Sequence, residues 1–314
     1  MNKITNYFKA LVFFILCSNI ATAQTDIDAI MMPKHNFCGG IIYGHSNWKN
    51  YWEGTVKRDN ENLGNVSASM VNVMGNYGIT DNLNLLFGVP YIQTKASAGT
   101  LAGQKGLQDL SLTLKYMPIE TDLGIGTFSL YTIGSVSTPL TNYVADFLPM
   151  SIGLQSSTAT ARLMVDYQVQ QWFATASAAY VARKNISIDR TAYYTNQMHY
   201  SNQVSMPDAT NINVRMGYRT SHLVAEAIFD KFITQGGFDI RKNDMPFPSN
   251  RMNAQRIGVN LKYTFTKKLA GLSAIAGGNY VFDGRNVGQS YSIMGGAFYQ
   301  MDWSKKKKKV AVKK

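Results

Sequence analysis

Cysteine is nearly missing from this sequence. The 314-residue chain has two, Cys17 and Cys38, and Cys17 lies in a segment read below as a removable leader. One remaining cysteine excludes a disulfide framework and a thiolate metal site. Histidine is as scarce: His35, His45, His199 and His222 are scattered, and no G-x-S-x-G occurs. A lipid-acting hydrolase would need a serine and a histidine brought together with a third group orienting the base. His45 and Ser46 point to opposite faces if both lie in a strand. Neither an enzyme nor a cofactor or metal is implied. Past the first two dozen residues no apolar run approaches the ~20 residues of a membrane-crossing helix, so a helical span is excluded.

A dispersed excess of positive charge is missing too. The formal net charge is +12, yet setting aside Lys3 and Lys9 leaves +10, and setting aside Lys305 to Lys309, Lys313 and Lys314 leaves +3. The body is nearly neutral, and the basic tail reads as a solvated end that can touch anionic lipid. Lys3 and Lys9 belong to a leader: an apolar run from Ala10 to Cys17 follows, then Ala21-Thr22-Ala23 before Gln24. That is the layout of a secretory signal peptide over 1–23. Bulky Leu16 before Cys17 argues against lipoprotein processing. An exported chain does not meet cellular nucleic acid.

What the sequence has in quantity is strict alternation. In residues 255–266, Ile257, Val259, Leu261, Tyr263 and Phe265 share one parity, and Gly258, Asn260, Lys262 and Thr264 the other. A period of two puts successive side chains on opposite faces of a strand, one greasy and one wet. Residues 110–116, 161–168 and 212–219 repeat the pattern with charges on the minority face. A soluble sandwich would alternate likewise, so two further features decide.

The first is connection length. Twelve strands are expected at 35–53, 63–79, 82–95, 106–118, 125–138, 151–169, 172–184, 209–219, 222–234, 253–266, 270–283 and 288–303. The links near 80, 119, 170, 220 and 267 are brief; most of those near 54, 96, 139, 185, 235 and 284 are much longer. Short turns at one end and long loops at the other mark a transmembrane β-barrel with periplasmic turns and extracellular loops. The second is aromatic placement. Tyr77, Tyr116, Tyr167, Trp172, Tyr218, Tyr263, Phe265 and Trp303 lie by the short turns or the chain end, and Tyr91, Tyr180, Tyr280 and Phe282 toward the long loops. Two aromatic belts suit two membrane interfaces. A spanning sheet must also close, because no backbone group can go unpaired in hydrocarbon.

The expectation is an all-β, closed antiparallel barrel of about twelve strands over 35–303, with a short stub at 24–34, a lysine-rich periplasmic tail at 304–314, and both termini periplasmic. Its partners would be outer-membrane lipids, the barrel-assembly machinery and a small solute.

The stretches "NYGITDNLNLLFGVPYI" (76–92), "GLQDLSLTLKY" (106–116) and "VSTPLTNY" (136–143) resemble a family of outer-membrane proteins assigned to phenol degradation, the MetA-type transporters, related to importers of fatty acids and aromatic hydrocarbons. The resemblance implies a passive channel for small hydrophobic or aromatic compounds. Those importers carry an N-terminal plug, whereas the stub here is too short for a full hatch.

Parity assigns Lys115, Arg162, Asp166, Arg215, Arg219, Glu226, Asp230 and Lys262 to the lumen, where they either sort solutes or hold a narrow barrel shut as ion-pair ladders. If Thr220-Ser221 is a two-residue turn, Arg219 faces His222 and Arg215 faces Glu226. Pro90, on the parity of Gly88, cannot donate to a ladder. It marks either a sideways exit for an apolar solute or a place near the outer rim where pairing ends anyway. The loop at 185–208, with Tyr193, Tyr194, Met198, His199 and Tyr200, is expected to fold over the barrel mouth. Its alternative is adhesion.

Overall fold

The computed structural model describes residues 25–242 and 244–304, so the leader and all but the first residue of the lysine tail lie outside the described residues. Twelve long antiparallel strands run in chain order: β1 (Asn36–Trp48), β2 (Val66–Thr80), β3 (Leu83–Ala96), β4 (Asp109–Leu123), β5 (Gly126–Pro139), β6 (Thr158–Val169), β7 (Trp172–Arg183), β8 (Ala209–Arg219), β9 (Leu223–Thr234), β10 (Asn253–Thr264), β11 (Leu272–Arg285) and β12 (Tyr291–Asp302). Each pairs with its neighbours in sequence, and β1 pairs with β12 from Asn36↔Asp302 to Asn47↔Tyr291. The sheet is therefore closed, and every strand has two partners.

Alternation does what the sequence implies. On β10, Ile257, Val259, Leu261 and Tyr263 are about half exposed on the outer wall, while Lys262 and Thr264 are buried inside. Outward Ile41, Val73, Leu114, Leu163, Ile212 and Ile293 continue the apolar band around the barrel. Trp303, just past β12, stacks on Phe37 at 5.4 Å and lies 5.8 Å from Tyr77, which seals the seam at the short-turn end with aromatic rings.

Several expected boundaries move. The first strand stops at Trp48; Asn50–Glu53 instead pairs with Val56–Asp59 as a separate hairpin above the barrel. The strand expected from 151 starts at Thr158. β4 runs on through 119–122, where a turn was expected, because a register shift between Tyr116 and Ile119 restarts the ladder; the reversal comes at Gly124, whose φ of +63° suits glycine. The β8–β9 register is two residues off the expected one: Arg219 pairs with Val224, Gly217 with Glu226, and Arg215 with Ile228. Thr220 explains this. Its Oγ1 accepts the N–H of Leu223 at 2.9 Å and its own N–H bonds Leu223 O, making a four-residue turn instead of a two-residue one.

The long loops pack on one another at the far end. Ile186, Ile188, Val204 and Met206 are buried with Ala145, against Leu154, Tyr193 and Phe247. Loop 185–208 therefore lies over the mouth with its apolar side down, and Tyr193 stacks on both His199 (4.8 Å) and Phe247 (5.3 Å). Tyr200 and Met198 stay exposed.

Candidate functional site

The barrel interior holds the residues that parity assigned to it, and it brings them together. Asp230 Oδ2 accepts the side-chain amides of Asn211 (2.8 Å) and Asn213 (3.2 Å). Arg162 donates to Asn211 Oδ1 (3.0 Å) and to Ser177. Arg215 donates to Asn213 Oδ1 (3.0 Å) and to Glu226 Oε1 (2.6 Å), which also accepts Asn260 (3.1 Å). One continuous polar rail thus crosses β6, β8, β9 and β10. Arg215 reaches Glu226 diagonally, not straight across, because Gly217, the residue opposite Glu226, has no side chain; a Cβ there would lie 2.0 Å from Ala225 O.

Arg219 does not face His222. It bridges Asp166 (3.0 Å) and Gln168 (3.1 Å) with its guanidinium 3.8 Å from the Phe173 ring centroid, and Asp166 also accepts Thr175 Oγ1 (2.5 Å). Charges with these partners are held in a low-dielectric interior, where breaking one pair costs about 3–5 kcal/mol. Their geometry is that of a ladder fixing the wall.

Lys115 is the exception, because its partners lie on no strand. Residues 25–34 run into the lumen from the short-turn end. Lys115 Nζ, fully buried, donates to the carbonyls of Thr25 (3.2 Å), Asp28 (2.5 Å) and Ile30 (2.9 Å) and to Asp28 Oδ1 (3.1 Å). Tyr131 Oη donates to Ala29 O (3.0 Å). Ala29 packs with Met117, Ile133 and Met164, and Met32 with Cys38, Ile42 and Phe298. The stub is thus a small stopper inside the barrel. Lys262, Glu226 and Arg215 line a cavity of about 170 Å³ between it and the β8–β12 wall, and Asp166 and Arg219 line a larger one of about 570 Å³ toward the short turns. Asp28, Ala29 and Tyr131 were not legible as site residues, since a stub's docking partner is set by closure of a sheet more than 80 residues further on.

The wall itself has one irregularity. β3 and β4 pair from Leu83↔Tyr116 to Gly88↔Ser111, and pairing resumes through a short strand, Lys105–Leu107, one residue out of step at Tyr91↔Leu107. Across the bulge Gln108 N–H bonds Pro90 O (2.9 Å), and Pro90 has no N–H to return. Pro90 is not at the rim: β3 continues to Ala96, paired with Val66. Facing Gly88, the buried Asn72 Oδ1 has no hydrogen-bond partner among the described residues.

The fold is that of an outer-membrane channel. The chain superposes on the crystal structure of an outer-membrane channel from Pseudomonas putida F1 with a TM-score of 0.70, over 89% of this chain and 100% of that one, at 13% identity. Weaker matches include a mutant of the TodX monoaromatic hydrocarbon channel (0.46, 8% identity, 87% and 91% covered) and a Pseudomonas aeruginosa FadL homologue (0.36, 10% identity, 85% and 90% covered). No family model matches the chain, and comparison with curated sequences yields no relative. His45 sits on the outer wall, bonded to Ser69 Oγ at 3.1 Å and not to Ser46. No group of three or more His, Cys, Asp or Glu able to hold a metal occurs among the described residues.

Proposed function

We propose that the barrel is an outer-membrane channel for passive uptake of small hydrophobic or aromatic compounds, with its short turns and both termini in the periplasm. Outer-membrane lipids and the barrel-assembly machinery are its standing partners. The observation that carries the reading is the bulge at Gly88–Pro90, set in a barrel whose straight route is stopped by residues 25–34. A polar solute needs a continuous aqueous path. An apolar one gains by leaving sideways into the bilayer, where a break in the ladder leaves the wall weakest. The paired lumen charges then serve as the rigid frame, and Gly88 and Pro90 mark the exit. A general diffusion porin is disfavoured, because the stub and the loop cluster occupy both ends of the lumen.

The test is uptake of ring-labelled toluene by cells producing the chain, compared with cells lacking it. Faster uptake is expected, falling severalfold in Pro90→Val, which restores a donor to the ladder. Equal uptake with and without the protein sinks the channel. Undiminished uptake in Pro90→Val removes the sideways exit.

A further inference from the structure

The long-loop end carries a second pocket, separate from the lumen, of about 240 Å³. It lies among the hairpin at 50–59, the Pro149 region and the 240–246 stretch. Burial sorts its lining. Asn60, Leu63 and Ile240 are buried and form the floor; Trp48, Tyr51 and Pro149 are half-buried and form the walls. The rim carries charges of both signs, and Arg58 and Glu53 neutralise each other at 3.3 Å.

The floor has one unsatisfied group. Asn60 is 7% exposed, and its Oδ1 accepts the Leu63 N–H at 3.1 Å, but its Nδ2 has no partner. A buried donor left unmade is costly, so the site favours whatever brings it an acceptor. Trp48 and Tyr51, 6.2 Å apart and 60° inclined, supply aromatic surface for a flat ring. The size suits one ring: an apolar cavity of about 150 Å³ holds benzene.

The pocket is also held open in advance. Asn286 Oδ1 accepts the N–H of Gly54 (2.8 Å) and of Ile240 (3.0 Å), stapling the hairpin to the neighbouring loop. Trp52 N–H bonds Val287 O at 2.9 Å. Little ordering remains to be done on binding.

We propose that this pocket captures a single neutral ring bearing one oxygen acceptor, a phenol or aryl ether, at the outer surface. The proposal rests on the uptake reading and deepens it. The ring lies against Trp48 and Tyr51, and its oxygen accepts from Asn60 Nδ2. A net charge on the ligand would find no unneutralised partner at the floor.

The probe is 4-fluoroanisole, followed by ¹⁹F NMR against the full chain in nanodiscs, with empty nanodiscs as the blank. Asn60→Asp keeps the oxygen that caps Leu63 and removes the donor. We expect saturable binding that weakens at least about tenfold in Asn60→Asp, while fluorobenzene, which has no oxygen, changes little. 4-Fluorophenol, able to donate to the new carboxylate, loses less. Tyr51→Ala, a second variant with its fold checked by heat-modifiable gel mobility, weakens all three rings. Signals matching the blank, or 4-fluoroanisole bound as by the unaltered chain in both variants, overturn the site. So does displacement by methyl glucoside, which would make it a saccharide pocket. A chain that binds rings here but imports no toluene loses only the uptake reading; one that imports toluene with no ring at Asn60 loses only this site.

Discussion

At the scale of single residues, Lys115 has the most to hold. Its ammonium makes four contacts, all to the stub, and no solvent reaches it. Lys115→Met keeps the length of the side chain and removes the charge, leaving Asp28 without its cation. Breaking a buried pair in this way costs about 3–5 kcal/mol, enough to undock a segment of ten residues. A cysteine introduced by Ile27→Cys is expected to stay shielded from maleimide in the parent and to label rapidly in the Lys115→Met background; equal labelling would show that other contacts hold the stub. Parity alone sent Lys115, Arg215, Glu226 and Lys262 to the interior, because a side chain on a closed sheet has two directions and no third. Their partners were harder to read. Arg215 met Glu226 through a diagonal opened by Gly217, and Arg219 met Asp166 across β7, since a threonine turn moved the register by two residues.

At the scale of elements, strand positions were readable to within a few residues, while loops were not, because loop packing depends on neighbours far away in sequence. The staple between loops 235–252 and the β11–β12 turn shows this. Arg285 donates twice to Asp239, at 2.7 and 2.5 Å, and holds its carboxyl down to about 2. Asp239 is ionised in the folded protein where a free carboxyl would already take up protons. The stabilisation is therefore full above about pH 4 and is lost as pH falls through about 2. Limited pepsin digestion is expected to spare 235–252 near pH 4 and cut it near pH 2. Asp239→Asn should be cut at both. A parent cut equally at the two values would show that the clamp is not what orders the loop.

At the scale of the whole molecule, closure was the most legible property of all, since alternating strands with no apolar helix leave a lipid-facing sheet nowhere to put an edge. Whether the lumen was open was not legible. It turns on ten residues ahead of the first strand, whose "TDIDAIMMPK" shows no period of its own. Deleting 25–32 is expected to raise single-channel conductance in planar bilayers severalfold and to leave the heat-modifiable gel shift of a folded barrel intact. Unchanged conductance would mean that the loops alone close the pore.

The polar rail has a mechanical consequence. Guanidinium and carboxylate contacts lace β6 to β10 into one stiff half-cylinder, whereas β2 to β5 meet through Gly88, Pro90, Ser111, Thr113 and Ser135, joined by short hydroxyl bonds such as Thr113–Ser135 at 2.8 Å. Two halves of unequal rigidity concentrate thermal breathing on the softer one, so amide protons of β3 and β4 should exchange well before those of β8 and β9. A hoop braced on one side flexes on the other.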